Sequence, residues 1–417
     1  MLQKLSKDGI LYLNWFKMHR AFLPKRLKER KVPTMSENNQ TSILKFLHCA
    51  DVHLDAPCVG LSAEKSDERR SGLRSTFMRM MDYVRDGGVN YMLISGDLFD
   101  TDCATNSTAE LLIREFRNCP DTRFIIAPGK ADSYEDNPIY TSGRLPQNCY
   151  VFSSDKLSRF DFEDDRVTVY GWAFVGDSIY ESPLYDNTVG DPTKINVVCG
   201  YADLDGAVGS SLCPISTADV KKFGADYYAL GSKHEGGDFV NLGDSMYGYS
   251  GALESMGFDN PGLGGAKLVT VRYSNGELSI DAKNMTFGQV VFKNETMDIT
   301  GVDTNNEIIN RVSRMVSEKK YDADTALRLE LTGYLDPRFI VPKNLGSDAF
   351  GLYSFELVDK TLPLYGTKPF ERDMTVKGEL FRQLRPMLES KDEEERLLGA
   401  RAFREGLAAL ESREIDL

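Results

Sequence analysis

Short apolar stretches recur along this chain and alternate with stretches of helical periodicity. Residues 66–86 show that periodicity most clearly, because their apolar positions recur at the spacing of one helix face: Leu73, Phe77, Met80, Met81 and Val84. Further helices are predicted over 107–117 and 216–223. Alternating strands and helices predict an α/β fold in which helices cover a sheet. The predicted strands are 43–47, 91–94, 123–126, 167–170, 195–198 and 227–230.

Length and composition set the broad class. The chain has 417 residues, of which 41% are hydrophobic, enough for two or three domains with a sizeable core. We expect no membrane association, because no apolar run approaches the roughly 18 residues that cross a bilayer. The seven cysteines show no C-x-x-C spacing, which argues against a disulfide framework or a thiolate zinc site. That usage is typical of a reducing compartment, so a cytoplasmic location is expected.

Charge is distributed unevenly. Residues 1–34 carry nine Lys or Arg against two acidic residues, whereas the whole chain has a net charge of −13. The remaining body is therefore strongly acidic and repels nucleic acid unless a local basic surface or a bound metal offsets that charge. Residues 1–42 are predicted to be a basic, disordered extension. Their last part, from Met35 on, is a polar lead-in of Ser, Glu, Asn and Gln that directly precedes the first strand.

The strand and helix pattern begins again near residue 288. Strands are predicted at 290–292, 327–331 and 352–357, with a helix over 305–319. We therefore expect a first domain over 43–285, a small α+β domain over 286–370 and a helical tail over 371–417. The tail has an apolar stripe that either packs on the protein or binds a partner: Leu397, Ala400, Phe403 and Leu407.

Metal-ligating residue types follow several predicted strands. Asp51 and His53 come after the first strand, Gly96-Asp97-Leu98-Phe99-Asp100 after the second, and His234 after the strand at 227–230. An isolated Asp-His pair is also common as a structural hydrogen bond. Two of only four histidines in strand-end loops favour a metal site. Carboxylate and imidazole ligands together suit Mn, Fe or Zn better than Ca or Mg.

These motifs and their order resemble the calcineurin-like metallophosphoesterases. Longer stretches are similar to the bacterial DNA double-strand-break repair exonuclease branch, of the SbcD and YhaO kind: residues 46–55, 94–100, 126–129 and 251–259. The resemblance is strong over about 43–285 and weaker beyond. It implies a four-layer α/β/β/α sandwich, with a small α+β capping domain at 286–370 and the helical tail after it.

The same resemblance implies a ligand set for two metals. The first metal takes Asp51, His53, Asp97 and His234, all of which are competent ligands. The second takes Asp97 together with three positions that are degenerate here: Lys130, Tyr201 and Ser232. The imidazole that aids the leaving group in the family falls on Ala131. We therefore expect one divalent metal, with Mn favoured over Fe or Zn.

The candidate catalytic residues are Lys130, which is one of the degenerate positions, and Asp132. An ammonium group at Lys130 would repel a second cation, and we hypothesise that it replaces that cation by neutralising Asp97 and Asp132. The alternative is that Lys130 points to solvent and the site has decayed. Tyr201 as a phenolate ligand is disfavoured, because an unperturbed phenol has a pKa near ~10.

Two functional hypotheses follow. In the first, the chain is a DNA-repair metallophosphoesterase that cleaves phosphodiesters weakly or not at all, because half of the two-metal clamp is missing. In the second, it is a non-catalytic scaffold that dimerises and binds DNA or an SMC-like ATPase, as the resemblance implies. Whether it is an enzyme stays open at this stage. Residues 66–86 offer a possible dimer surface, but their apolar stripe favours core packing.

Overall fold

The computed structural model describes residues 25–31, 42–56, 63–135, 137–207, 209–274, 277–336, 339–342, 346–363 and 370–410. These residues divide into two compact units. Unit 1 contains Met1–Met256 and Leu263–Gln289, and unit 2 contains Gly257–Gly262 and Val290–Leu417. The boundary at 289/290 lies close to residue 285, and Gly257–Gly262 belong to unit 2.

Unit 1 contains fifteen strands and four helices among its described residues. The strands are β1 (Lys25–Lys31), β2 (Ser42–Cys49), β3 (Tyr91–Ile94), β4 (Arg123–Ile126), β5 (Cys149–Val151), β6 (Ser158–Phe162), β7 (Val167–Gly171), β8 (Ile195–Tyr201), β9 (Asp203–Leu204), β10 (Pro214–Ile215), β11 (Tyr227–Gly231), β12 (Val240–Leu242), β13 (Ser245–Tyr249), β14 (Gly265–Ser274) and β15 (Glu277–Thr286). The helices are α1 (Ala63–Asp86), α2 (Asn106–Arg117), α3 (Pro138–Thr141) and α4 (Thr217–Phe223).

Two large sheets form the centre of unit 1. The first has the order β1-β15-β14-β2-β3-β4-β5, with β2 to β5 parallel. The second has the order β12-β13-β11-β8-β7-β6, with β7, β8, β11 and β13 parallel. In both sheets the parallel strands run side by side, so the loops that follow them leave from one edge.

Three apolar clusters show how the layers pack. One cluster lies between the sheets and joins Phe46 and Tyr91 of the first to Val169 and Val197 of the second. A second cluster packs α1 and α2 on the outer face of the first sheet. A third packs α4 on the outer face of the second. This arrangement is the predicted four-layer α/β/β/α sandwich.

The apolar stripe of α1 belongs to that core. Phe77, Met80 and Met81 are fully buried, and Leu73 and Val84 are nearly so. The stripe therefore packs in the core of unit 1 and is not exposed as a dimer surface. The helix predicted at 216–223 is also present as α4. The hydroxyl of Ser216 caps it by accepting a hydrogen bond from Asp219 N at 3.1 Å.

The basic N-terminal stretch departs from the sequence expectation. Lys25–Lys31 lie within the region predicted to be disordered, yet their backbone forms β1, antiparallel to β15. Without β1, the β15 edge would present unpaired backbone groups, and a strand added there satisfies them. Composition does not reveal this pairing, because it depends on an edge formed by residues about 250 positions later.

Unit 2 contains a three-stranded parallel sheet, a helix packed on it and a helical pair. Its elements are β16 (Val291–Asp298), α5 (Asn305–Lys319), β17 (Thr325–Thr332), β18 (Tyr334–Leu335), a 3₁₀ turn (Ser347–Ala349), β19 (Ser354–Asp359), β20 (Leu362–Pro363), α6 (Val376–Leu388) and α7 (Glu393–Leu410). The sheet order is β16-β17-β19. Ile308, Val312 and Val316 of α5 are buried against it.

The apolar stripe of the tail packs within unit 2. Phe403 and Leu407 of α7 are buried in a cluster with Phe381 of α6, and Ala400 is buried beside them. Of the two possibilities for this stripe, intramolecular packing is therefore the one observed. Across the ranges that the structure describes, every helix is too short or too polar to span a bilayer.

Candidate metal centre

The loops that follow β2 and β3 are joined by backbone hydrogen bonds. Asp51 N donates to Gly96 O at 3.0 Å, and His53 N donates to Asp97 O at 2.9 Å. These bonds fix Asp51, His53 and Asp97 at one edge of the first sheet. His234 follows β11 at the matching edge of the second sheet. The sequence prediction that these four residues meet at strand ends agrees with this placement.

Three of these residues have an unusual backbone conformation. The φ angles are 50° at Asp51, 50° at His53 and 53° at Asp97, all in the left-handed region. Residues other than glycine adopt this region at a cost of about 1–3 kcal/mol when the surrounding structure enforces it. Such strain is concentrated at functional sites, so the two loops are shaped to aim these side chains.

The side chains converge on one point. Ligand atoms of Asp51, His53 and His234 all lie within 4.8 Å of one another. The Nε2 atoms of His53 and His234 are 3.2 Å apart, and Asp97 Oδ2 lies 3.8 Å from His53 Nε2. Two imidazoles and two carboxylates form a donor set that fits a divalent transition metal, the group expected from the sequence. Neither Ca nor Mg commonly takes two imidazole ligands.

A further carboxylate orients His53. Asp100 Oδ1 lies 2.6 Å from His53 Nδ1. This contact assigns the ring proton to Nδ1 and leaves the lone pair of Nε2 facing Asp97 and His234. In the sequence, Asp100 belongs to the motif Gly96-Asp97-Leu98-Phe99-Asp100 but has no predicted role of its own. Its spacing after Asp97 is the sequence feature that could have indicated a role at this site.

The electrostatics of the cluster favour a bound cation. Burial raises the pKa of Asp51 to about 8, with a further contribution from Asp97. Burial alone would lower the pKa of His53, but the hydrogen bond with Asp100 and the charges of Asp97 and Asp100 outweigh it and raise the pKa to about 9. Buried carboxylates with this little compensation are stabilised when a positive charge lies between them.

Asp132 holds the loops together. It is fully buried and accepts hydrogen bonds from the backbone N–H groups of Asp97, Leu98 and Gly129 at 2.7–3.0 Å. The hydroxyl of Tyr140 donates a fourth at 2.6 Å. These four bonds use the acceptor capacity of the carboxylate. The arrangement favours a structural role for Asp132 over the catalytic one considered from the sequence.

Lys130 does not face the carboxylates. Its side chain is exposed, and it forms no hydrogen bond or ion pair with the residues that the structure describes. The group that approaches Asp97 from this loop is instead the backbone amide of Ala131, which donates to Oδ1 at 2.7 Å. This geometry does not support Lys130 as a replacement for a second cation. It agrees with the alternative, in which the lysine points to solvent.

The side chain beside Asp97, where Lys130 was expected, is that of Tyr201. Its side chain is buried, makes an edge contact with the ring of Phe174 at 5.3 Å, and brings its hydroxyl within hydrogen-bonding reach of Asp97. Burial, followed by the charge of Asp97, raises the pKa of Tyr201 far above that of a free phenol. This shift favours the neutral phenol over a phenolate.

Ser232 supports the site through its backbone. Its N–H faces the carboxylate of Asp51, with N–O distances of 3.2 and 3.3 Å. Its hydroxyl donates to Ala202 O at 2.8 Å. The hydroxyl is therefore committed to the protein and turned away from a ligand role.

A buried ion pair lies behind the loop that holds His234. Ala252 N donates to His234 O at 2.9 Å. Two residues later, Glu254 pairs with Arg69 of α1 at 3.0 Å, with both side chains buried. The family resemblance of residues 251–259 does not predict this contact, because α1 is about 185 residues away in the chain.

Comparison with known proteins finds similarity in this region. The profile of the calcineurin-like phosphoesterase family matches residues 44–235, which contain the four converging side chains. The chain is 26% identical over 304 residues to the uncharacterized metallophosphoesterase YhaO of Bacillus subtilis strain 168. That match covers 70% of this chain and 72% of the relative. Residues 44–235 are thus similar to the calcineurin-like phosphoesterases.

Two solved structures are similar to part of this chain. A dimetal phosphatase from Danio rerio matches 57% of this chain and 98% of its own, with 10% identity and a TM-score of 0.37. Vacuolar Protein Sorting 29 from Cryptosporidium parvum matches 58% of this chain and 98% of its own, with 11% identity and a TM-score of 0.27.

Proposed function

We propose that the calcineurin-like metallophosphoesterase domain of this chain holds one divalent metal ion and hydrolyses phosphodiesters slowly. The observation that carries the proposal is the convergence of Asp51, His53 and His234 within 4.8 Å, beside Asp97. When bound there, a divalent ion supplies Lewis acidity toward a phosphoryl oxygen and toward water. Manganese suits the mixed carboxylate and imidazole set, as iron and zinc also do.

The residues of the site divide the remaining work. Asp100 keeps the Nε2 atom of His53 directed into the site, and Asp97 is held by the amide of Ala131. Lys233, which is exposed and stacks on Tyr249 at 4.7 Å, supplies a positive charge in the loop of His234 and so attracts an anionic substrate. Ala131 offers no proton to a leaving group, which lowers the rate by about 10²–10⁴-fold relative to a site with an imidazole.

The substrate class is proposed from the sequence resemblance. The stretches at 46–55 and 94–100 resemble repair exonucleases, so the proposed substrate is the phosphodiester bonds of DNA. The net charge of −13 means that DNA approaches against repulsion unless the metal and nearby lysines offset it. This charge balance favours short or single-stranded ends, which present fewer phosphates to the acidic body.

A second candidate function rests on a different observation. Tyr201 and the methyl group of Ala131 stand where a two-metal phosphoesterase needs ligands and a proton donor. This supports a non-catalytic scaffold that keeps the fold for dimerisation or for binding DNA or an SMC-like ATPase. In that case the metal stabilises the loops without turnover.

A manganese-dependent hydrolysis assay separates the two candidates. The assay uses bis(p-nitrophenyl) phosphate and end-labelled DNA, with wild type beside His53→Gln and His234→Gln. Slow manganese-dependent cleavage that both variants abolish supports the enzyme. A quadruple variant serves as the reference: Lys130→Asn, Ala131→His, Tyr201→His and Ser232→His. Cleavage by that variant alone contradicts the proposed activity and favours the scaffold.

A further inference from the structure

The carboxylate of Asp97 has two distinct sides. Its Oδ2 atom faces His53 Nε2 at 3.8 Å and belongs to the cluster described above. Its Oδ1 atom accepts from Ala131 N at 2.7 Å and faces the opposite direction. A second cation that shared Asp97 with the first would have to bind on this Oδ1 side, because the Oδ2 side faces His53.

The ring of Tyr201 packs into that side. A methyl group placed on Gly96 would lie 2.5 Å from Cδ2 of Tyr201, and one placed on Gly129 would lie 2.8 Å from the same atom. The tyrosine ring therefore packs against the backbone of Gly96, in the loop after β3, and against that of Gly129, in the loop after β4. Gly96 has a φ of 96°, so glycine is needed there for conformation as well as for space.

The backbone and neighbours of Tyr201 hold it in place. Trp172 Nε1 donates to Tyr201 O at 3.1 Å, and Ala202 N donates to Gly231 O at 3.3 Å. Phe174 closes the outer side of the ring with an edge contact at 5.3 Å. A buried aromatic side chain fixed by this many contacts does not swing aside for an ion without loss of packing.

Among the described residues, those at the other positions that the family resemblance assigns to a second metal offer no replacement ligand. Ser232 Oγ is bonded to Ala202 O, the side chain of Ala131 is a methyl group, and Lys130 points to solvent. A phenol also extends further from the backbone than an imidazole does at the same position. The Tyr201 hydroxyl near Asp97 therefore lies where an ion shared by position 201 and Asp97 would have to lie.

We propose that Tyr201 fixes the centre at one metal ion by filling the Oδ1 side of Asp97 with a neutral hydrogen-bonding ring. This inference rests on the proposed metal-binding function and extends it, because it names the residue that sets the number of ions. Tyr201 acts here as a positioning residue: together with the Ala131 amide it holds Asp97 so that Oδ2 faces His53. Its predicted effect is on metal count, which activity alone does not report.

The test varies residue 201 in a background that supplies the missing ligands. The background carries Lys130→Asn, Ala131→His and Ser232→His, and residue 201 is left as Tyr or changed to Phe or His. Manganese per chain is measured by elemental analysis after equilibration and desalting. Electron paramagnetic resonance distinguishes an isolated Mn(II) ion, with its six-line hyperfine pattern, from a spin-coupled pair. We expect one ion with Tyr or Phe and a coupled pair with Tyr201→His.

Each outcome bears on the inference. A coupled pair in the background that retains Tyr201 overturns it, and so does a coupled pair in wild type at tenfold manganese excess. The wild-type measurement decides the question if the substituted backgrounds fail to fold, since a single isolated ion under that excess supports the inference. Failure of the proposed function looks different. In that case wild type binds no manganese, and the contrast between Tyr and His at residue 201 still reports on the role of the ring.

Discussion

At the scale of single residues, the site depends on side chains that orient the ligands. His53 would bind a metal through Nε2 only while its other ring nitrogen carries the proton, and Asp100 enforces that state at 2.6 Å. Partners of this kind commonly change metal affinity by about 10–100-fold when they are removed. Tyr201 and the Ala131 amide perform the equivalent task for Asp97.

Asp100→Ala is predicted to weaken manganese binding by about 10–100-fold, because His53 loses the acceptor that fixes its tautomer and ring position. Isothermal titration of manganese into wild type and variant measures the change. Asp102→Ala is the matched control, since it removes an exposed carboxylate two residues away that has no contact with His53. Equal dissociation constants for wild type and Asp100→Ala would show that the contact does not position the imidazole.

At the scale of secondary-structure elements, buried polar contacts join segments that are distant in sequence. Glu254 accepts from Arg69 and from Thr76 of α1, and also from the backbone N–H of Gln289. The loop after β13 is thereby tied to α1, and the same loop bonds to His234 through Ala252. The helix and the metal-site loop are therefore mechanically connected.

Glu254→Ala is predicted to destabilise unit 1 by about 3–5 kcal/mol, because it removes the buried carboxylate that pairs with the guanidinium of Arg69. Denaturant unfolding followed by circular dichroism measures the loss. Glu68→Ala on the same helix is the control. It breaks an exposed pair with Lys65 and is expected to change stability by no more than about 1 kcal/mol. A similar loss in both variants would contradict a special role for the buried pair.

At the scale of the whole molecule, the two sheets of unit 1 are joined by polar groups as well as apolar ones. His48 of β2 is fully buried, and its Nδ1 atom lies 2.8 Å from the hydroxyl of Tyr227 on β11. Burial, together with the nearby charge of Lys267, lowers the pKa of His48 to about 3. The folded protein therefore keeps this imidazole neutral where an unfolded chain would protonate it.

The stability of unit 1 is predicted to fall as the pH drops below about 6.5, the value at which His48 begins to take up a proton in the unfolded chain. The folded pKa is the lower of the two, so the unfolded state binds more protons and gains stability on acidification. Between pH 7 and pH 5 this costs the folded state about 2 kcal/mol.

Urea unfolding in the presence of EDTA measures this pH dependence in wild type and His48→Gln. The chelator removes metal binding from the comparison, and the variant removes only the contribution of His48. Between pH 7 and pH 5, the wild type should therefore lose about 2 kcal/mol more stability than the variant. Equal losses in the two proteins would mean that folding does not lower the pKa of His48.

The sequence by itself determined the α/β layering, and the four-layer order followed from the family resemblance. Because the carboxyl ends of parallel strands meet at one edge, the placement of Asp51, His53, Asp97 and His234 was predictable from their positions after strands. Only the tertiary structure decided which neighbour faces Asp97. Lys130 is exposed in the loop after β4, whereas Tyr201 ends β8 and packs its ring against Gly96 and Gly129. These contacts join elements that are distant in the chain, and for that reason the folded structure was needed to assign them.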